Sequence, residues 1–275
     1  MIPIEYVRAR TVLLDALDAL GAHRDAVVLV GAQAVYLHSG DGDLVTAPTT
    51  TDADLALAPD GLAGRLPAVE EAMCAAGFVP GAQPGIWLGR GHVAVDLLVP
   101  AAVSGPGRRG ARLPPPHGKN AARKTFGLEP ALVDNQPHVI QALDSEDPRQ
   151  FSIKVAGPAA LLVAKVVKIS ERQEQPGRLK PKDGLDVLRL LRATDADHIG
   201  TKLIELMANP LTNAIVGQAL RDLATLAGAP DGLLPMLAVK AEAGFDDPDV
   251  LAMSMVVLVG DVLDAATRRA RTHGR

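Results

Sequence analysis

Residues 26–38 have the sequence AVVLVGAQAVYLH, an apolar run that leads through a glycine into a helical pattern. An apolar run without polar alternation is typical of a strand buried on both faces. Gly31 closes this strand, and residues 32–38 resume helical character. The order strand, glycine, helix predicts an α/β fold, and the first amide groups of such a helix favour a bound phosphate. The alternative is a tight turn that binds nothing.

Two carboxylates begin the next predicted strand. A loop rich in Gly, Asp, Pro and Thr lies between Ser39 and Thr51, and Asp52 and Asp54 follow it. Alternate residues of a strand point to the same face, so these two side chains converge. In phosphoryl-transfer sites Mg²⁺ takes one or two carboxylates together with phosphate oxygens. The pair predicts a site for a magnesium-bound nucleoside triphosphate (NTP), with a merely solvated strand entry as the alternative.

A third carboxylate lies within the clearest strand of the sequence, VAVDLLV at residues 93–99. A charge inside such an apolar run is costly unless it is paired or bound to a metal. Adjacent strands lie about 5 Å apart, so Asp96 could share metal ions with Asp52 and Asp54. Three such carboxylates would repel one another, and a divalent cation would compensate. A paired buried acid, or an edge position facing water, is the alternative for Asp96.

Length and composition indicate a globular protein with two domains. The chain has 275 residues, of which 48% are hydrophobic and 22% charged, and this length exceeds that of a usual single domain. Further helices are predicted over residues 5–20 and 62–76, and further strands near 86–88, 139–143 and 151–155. The pattern is helical from residue 159 onward. We therefore predict an α/β catalytic domain over residues 1–156 and a helical domain over 157–275.

Charge and cysteine content restrict the function class. The formal net charge of −4 gives no overall attraction to nucleic acid. Cys74 is the only cysteine, which excludes an internal disulfide, and its Ala-rich surroundings predict a small core residue. The N-terminus lacks the apolar core of a signal peptide. The apolar run at 250–259 is shorter than the roughly 20 residues that span a bilayer, so we expect a cytoplasmic protein that does not bind membranes.

A group of charged residues recurs at helical spacing in the predicted helical domain. Lys165 and Lys168 are three residues apart on one apolar helix, and Asp183 and Asp186 repeat that spacing on the next. Residues at this spacing share a helix face. One interpretation is a set of ion pairs between the two helices. The other assigns a lysine to the triphosphate of a nucleotide and lets an aspartate orient it.

A basic cluster lies in an irregular stretch directly after the strand that carries Asp96. The stretch between Asp96 and Glu129 contains no acidic residue. Such a loop, over residues 108–124, could bind an RNA backbone, and a solvated loop is the alternative. Its cations are Arg108, Arg109, Arg112, Lys119, Arg123 and Lys124.

Taken together, these motifs resemble those of a known family. The order VLVGAQA, then TTDADL at 50–55, VDL at 95–97, AK at 164–165 and KDGLD at 182–186 is similar to the AbiEii group of nucleotidyltransferase-fold toxins, which includes the MenT-type enzymes. The resemblance covers about residues 26–192. It implies a nucleotidyltransferase-fold mixed sheet with flanking helices, plus a C-terminal helical domain that contributes Lys and Asp to the site.

By this resemblance, each motif position acquires an expected role. The resemblance assigns metal binding to Asp52, Asp54 and Asp96. Thr50 matches a hydroxyl residue that precedes the first of these aspartates. The expected catalytic residues are Asp52, Asp54, Asp96, Lys165, Asp183 and Asp186. The expected nucleotide-binding residues are Gly31, Ala32, Thr50, Lys165 and Lys168. The usual Gly-Gly or Gly-Ser beside the nucleotide is Gly31-Ala32 here, so a hydroxyl contact to phosphate is missing.

The resemblance also implies an activity. It suggests transfer of a nucleoside monophosphate from an NTP to a tRNA 3′ end, with Mg²⁺ or Mn²⁺, by a toxin that a partner antitoxin neutralises. A nucleotidyltransferase acting on a protein or on a small molecule such as an aminoglycoside is the first alternative. A binding protein whose transferase site has degenerated is the second.

Overall fold

The computed structural model describes residues 2–40 and 49–273, and these form two compact units. Residues 2–34 and 49–156 make the first, here called the sheet unit. Residues 35–40 and 157–273 make the second, here called the helical unit. Most of the loop predicted between Ser39 and Thr51, residues 41–48, lies outside the described residues.

An open mixed sheet of eight strands is the centre of the sheet unit, counted over the described residues. The strands are β1 (Val27–Val30), β2 (Asp52–Leu57), β3 (Val79–Pro80), β4 (Ile86–Leu88), β5 (Ala94–Pro100), β6 (Arg123–Thr125), β7 (Asn135–Gln141) and β8 (Gln150–Ala156). Their spatial order is β3-β4-β5-β2-β1-β8-β7, with β6 also pairing with β5. The β2–β5 and β1–β8 pairs are parallel, whereas β1–β2 is antiparallel. The predicted α/β class with a mixed sheet is therefore confirmed.

Three α-helices precede or separate these strands along the chain. They are α1 (Ile4–Ala19), α2 (Gly31–Ser39) and α3 (Val69–Ala75). The α1 helix packs against β2 and β5 and fully buries Leu13, Leu14 and Leu17. These residues recur at the spacing of one helix face, which is why the sequence predicts α1 well. The α2 helix begins directly at the end of β1, as the glycine between them predicts.

Three local predictions were wrong. The helix predicted over residues 62–76 begins only at Val69, because Pro67 disfavours helical geometry in the residue before it. Cys74 is exposed, since α3 turns Val69 and Met73 toward the core instead. The basic loop predicted over residues 108–124 does not extend to its last two residues, because Arg123 and Lys124 belong to the short strand β6, which pairs with β5 in parallel.

The regular elements described beyond residue 157 are all helical, as predicted, and six of them are α-helices. Buried Leu, Ile and Val side chains from all six of them form one continuous core. By length and composition alone, the last helix is apolar enough over Pro248–Thr272 to cross a membrane, and a core helix of a soluble protein has the same properties. The helices are α4 (Pro158–Ser170), α5 (Pro181–Ala193), α6 (Ala196–Ala208), α7 (Asn213–Leu226), α8 (Leu233–Ala241) and α9 (Pro248–His273).

A buried histidine ring in the sheet unit is expected to make the stability of the protein depend on pH. His23 is 0% exposed, and its Nε2 lies 2.9 Å from the Pro67 carbonyl oxygen, to which it donates. Its Nδ1 has no hydrogen-bond partner among the described residues. Burial lowers the pKa of His23 below its ordinary value of 6.5, and the neighbouring His117 and Arg65 lower it further, although the Pro67 carbonyl opposes them. The folded protein therefore favours the neutral form of this ring more strongly than the unfolded chain does.

We expect the free energy of unfolding to fall as the pH decreases below 6.5. Between 6.5 and the lower pKa of the folded state, the unfolded chain binds more protons at this ring than the folded chain does. One such proton changes the free energy of unfolding by at most about 1.4 kcal/mol per pH unit. Urea unfolding between pH 5 and pH 8 measures this slope. The His23→Phe variant should reduce it, whereas a substitution at the exposed His198, His198→Gln, should leave it unchanged. An unaltered slope in His23→Phe would assign the effect to another group.

Candidate active site

Three predicted carboxylates lie on one face of two adjacent strands. The parallel register of β2 and β5 pairs Asp54 with Asp96 and Asp52 with Ala94. Residues in register point to the same side of a sheet, as do alternate residues of one strand. The three aspartates are half-buried, and the alternate residue Ala53 is buried. The structure thus brings together the acidic residues that the sequence singled out.

Gly31 lies against the middle carboxylate of this group. The β1–β2 pairing sets Val30 opposite Asp54, so the start of α2 follows at once beside that side chain. Gly31 has a φ of +69°, and a Cβ atom built on it would lie 2.1 Å from the Asp54 Oδ2 atom. Only a glycine therefore permits this approach between the β1–α2 turn and the carboxylate.

Replacing this glycine by alanine is expected to cost more stability than backbone conformation alone explains. A non-glycine residue at positive φ costs about 1–3 kcal/mol, and in Gly31→Ala the Asp54 side chain must also move. Gly64 is a matched control, because it has the same φ of +69° and nothing lies within 4 Å of its Cβ position. Chemical unfolding should show a larger loss for Gly31→Ala than for Gly64→Ala. Equal losses would mean that Asp54 rearranges without cost.

The two outer carboxylates each have a described partner. The Thr50 hydroxyl donates to Asp52 Oδ1 at 2.7 Å, and Thr50 is itself buried. Arg123, on β6, donates to Asp96 Oδ2 and forms a salt bridge with it. Thr50, predicted to bind nucleotide, therefore orients an aspartate in this structure. Arg123, predicted to belong to the basic loop, supplies the counter-charge of Asp96.

A buried hydrogen-bonded chain that sequence reasoning missed supports the start of β2. Arg10 Nε donates to Gln33 Oε1 at 2.8 Å, and Gln33 Nε2 donates to the backbone oxygen of Asp52 at 3.1 Å. Arg10 also donates to Tyr6 and to the backbone oxygen of Gln141. The sequence contains one signal for this hydrogen-bonded chain, because Arg10 lies at the helical spacing of the buried α1 residues. A charge on that face needs buried partners.

The charged residues of the helical unit form a buried ion cluster. Lys165 Nζ lies 2.9 Å from Asp183 Oδ1 and 2.5 Å from Asp186 Oδ2, while Lys168 Nζ lies 2.9 Å from Asp183 Oδ1. The Lys165 side chain is 6% exposed and that of Lys168 is 37% exposed. The predicted ion pairs between two helices are therefore present, between α4 and α5. The predicted nucleotide contacts of Lys165 and Lys168 stay predictions.

Electrostatics keep this cluster charged. Burial alone would lower the pKa of Lys165, but the charges of Asp186 and Asp183 outweigh it and raise that pKa above 10.5. Burial alone would raise the pKa of Asp183, but Lys165 and Lys168 outweigh it and lower that pKa below 3.8. Both partners are therefore ionised across the neutral pH range.

No protein-family model, no curated protein and no solved structure matches the chain. The function is therefore inferred from the geometry of the described residues. Those residues contain no group of three or more His, Cys, Asp or Glu side chains arranged to hold a metal ion. Within the acidic group, the carboxylate of Asp96 forms a salt bridge with Arg123. Two carboxylates, Asp52 and Asp54, are consistent with the small number that Mg²⁺ takes when phosphate oxygens complete its shell.

Proposed function

We propose that the protein is a magnesium-dependent nucleotidyltransferase that moves a nucleoside monophosphate from an NTP to an acceptor hydroxyl. The observation that supports this most strongly is the cross-strand pair of Asp54 and Asp96, with Asp52 beside it and Gly31 against Asp54. Strand-borne carboxylates next to a strand–glycine–helix turn offer both metal ligands and amide donors to one triphosphate. The finer fold assignment, a nucleotidyltransferase fold of the AbiEii type, belongs to the same proposal.

Each residue of the site has a role in this reaction. Asp52 and Asp54 would hold Mg²⁺, which when bound neutralises phosphate charge and polarises the α-phosphate. Thr50 holds Asp52 in position through its 2.7 Å hydrogen bond. The amide groups at the start of α2 would bind phosphate oxygens, a role for which the Ala32 side chain is not needed.

Asp96 would accept the proton of the acceptor hydroxyl. The hydroxyl oxygen then forms a bond to the α-phosphorus, and the bond from that phosphorus to the pyrophosphate oxygen breaks. The guanidinium of Arg123 balances the charge of Asp96. Such a reaction relies on positioning and charge neutralisation more than on covalent chemistry by the protein.

The acceptor that we propose is an RNA 3′ end, specifically that of tRNA, and a cognate antitoxin would neutralise the activity in the cytoplasm. This part of the proposal comes from the resemblance of the motifs and from the basic loop 108–124. The overall acidic charge of the chain gives no support of its own.

Incubation of the protein with each of four α-labelled NTPs, Mg²⁺ and total tRNA tests the proposal. We expect label on RNA, release of pyrophosphate, and loss of both when EDTA is added. Parallel reactions with cell protein and with an aminoglycoside identify the acceptor class, since label there and not on RNA would replace the tRNA proposal. No transfer to any acceptor, with the NTP bound, would indicate a non-catalytic binding protein.

A further inference from the structure

A cavity of about 300 Å³ lies within the irregular basic stretch of the sheet unit. Three cationic side chains, Arg108, Arg112 and Lys119, line it, and no carboxylate does. Pro84, Pro106 and Leu113 contribute apolar walls. This volume is at the lower end of the range for small-molecule sites, about 300–1,000 Å³.

The backbone around this cavity is held in place by hydrogen bonds. The amide of Arg112 donates to the Ser104 oxygen at 2.8 Å, and the amide of Ala111 donates to the Ala122 oxygen at 3.0 Å. The amide of Gly85 donates to the Asn120 oxygen at 3.0 Å. The three cations therefore lie on the loop between β5 and β6, whose backbone is hydrogen-bonded at these points.

The charges of the cavity are not balanced within the described part of the chain. No side-chain hydrogen bond or salt bridge there involves Arg108, Arg112 or Lys119, whereas Arg123, Arg149 and Lys165 each contact a carboxylate. A carboxylate does approach the loop at Glu70, but it accepts from the Gly118 amide and does not line the cavity. Three like charges around one concave surface repel one another, and an anion relieves that repulsion.

We propose that this cavity binds the phosphate group of a nucleotide, either a free nucleoside monophosphate or one nucleotide unit of an RNA strand. Guanidinium groups bind phosphate oxygens in pairs, and an ammonium adds a third charge-assisted contact. The apolar walls offer a surface for the base or sugar. Binding here requires neither an NTP nor Mg²⁺. The RNA part of this inference rests on the proposed RNA acceptor, whereas the nucleoside monophosphate part does not depend on the transferase reaction.

Equilibrium binding in the presence of EDTA tests the proposal. The two probes are labelled AMP, followed by equilibrium dialysis, and a short fluorescein-labelled single-stranded RNA, followed by anisotropy. The test protein carries Arg108→Ser, Arg112→Ser and Lys119→Ser. A matched control removes three cations of the helical unit, with Arg221→Ser, Lys240→Ser and Arg271→Ser. Circular dichroism verifies that both triple variants are folded, as expected for exposed side chains.

We expect the wild type and the control to bind alike and the test variant to bind at least about tenfold more weakly, since charge-assisted hydrogen bonds are among the stronger ones. For RNA, the negative slope of log K against log salt should become less steep by about 0.7 for each phosphate that the test variant no longer neutralises. Weaker binding of AMP as well as RNA identifies a nucleotide pocket, and weaker binding of RNA alone identifies a strand-binding surface. Equal binding by all three proteins, or no binding of either probe by the wild type, would overturn the proposal.

Discussion

The Asp54→Asn variant is expected to transfer nucleotide about 10²- to 10⁴-fold more slowly than the wild type, because a metal ion supplies several kcal/mol of charge stabilisation in the transition state and each 1.4 kcal/mol is tenfold in rate. Asp54 is the residue with the largest expected effect, since it alone lies in register with Asp96 and against Gly31. Asparagine keeps the shape of the side chain and removes its charge. Initial rates of label transfer at saturating NTP measure the decrease.

The same substitution should reduce the stabilisation that bound metal and nucleotide give to the protein. Asp54 lies in register with Asp96 on the adjacent strand, and the melting temperature of Asp54→Asn without metal is the reference for this comparison. Added Mg²⁺ and NTP should raise the melting temperature of the wild type by mass action and that of the variant much less.

The exposed carboxylate of Asp60 serves as the control for this experiment. Asp60→Asn makes the same chemical change in the sheet unit and should leave the transfer rate unchanged. If Asp54→Asn retained the wild-type rate while Asp60→Asn also did, the acidic group would not be the transferase site. A lowered melting temperature in Asp54→Asn would instead assign this aspartate a structural role.

Strong local patterns made much of the sheet predictable. The apolar run at residues 27–30, the glycine after it and the Asp52–Leu57 strand each contain their own signal, and the structure has them within a residue or two. The position of Asp96 opposite Asp54 follows once β2 and β5 are neighbours in parallel register. Sequence could suggest that these strands were adjacent only through their shared acidic chemistry, because pairing is a non-local property.

The missed features depend on partners distant in sequence. Arg123 forms a salt bridge with Asp96, which lies 27 residues away in the sequence, and Gln33 donates to the backbone oxygen of Asp52, which lies 19 residues away. Neither pairing has a local pattern, so a basic residue in a loop and a glutamine in a helix carried no indication of their roles. The helix predicted to begin at residue 62 failed for a local reason, a proline whose effect outweighed an apolar spacing that continued through it.

A second large effect is expected at the ion cluster of the helical unit. Lys165→Met should lower the free energy of unfolding by about 3–5 kcal/mol, the usual cost of removing one partner from a buried ion pair. Asp183 would keep Lys168 at 2.9 Å and Arg172 at 3.8 Å. Asp186 would not keep a partner, because Lys165 is its only salt-bridge partner among the described residues, and its Oδ1 atom is already buried without a hydrogen bond. Chemical denaturation measures the change.

Two further variants separate this effect from a general loss of packing. Lys168→Met removes a charge whose side chain is 37% exposed, and solvent should limit its cost to about 1 kcal/mol or less. The double variant Lys165→Met with Asp186→Leu replaces both ions by apolar groups and should recover most of the lost stability, because buried pairs are often replaced by hydrophobic residues without cost. No recovery in the double variant would mean that the introduced methionine side chain itself packs poorly.

The pH dependence of this destabilisation distinguishes the ion cluster from the buried histidine. The pKa of Asp183 lies below 3.8 and that of Lys165 above 10.5 in the folded protein. The contribution of Asp183 is present above 3.8 and is lost as the pH falls through its folded pKa, while that of Lys165 is present below 10.5 and is lost as the pH rises through its folded pKa. The cost of Lys165→Met should therefore stay constant between about pH 5 and pH 9, a range in which the titration of His23 still makes the stability of both proteins vary. A variant that unfolds like the wild type yet transfers no nucleotide would instead assign Lys165 to the substrate, as the motif resemblance implies.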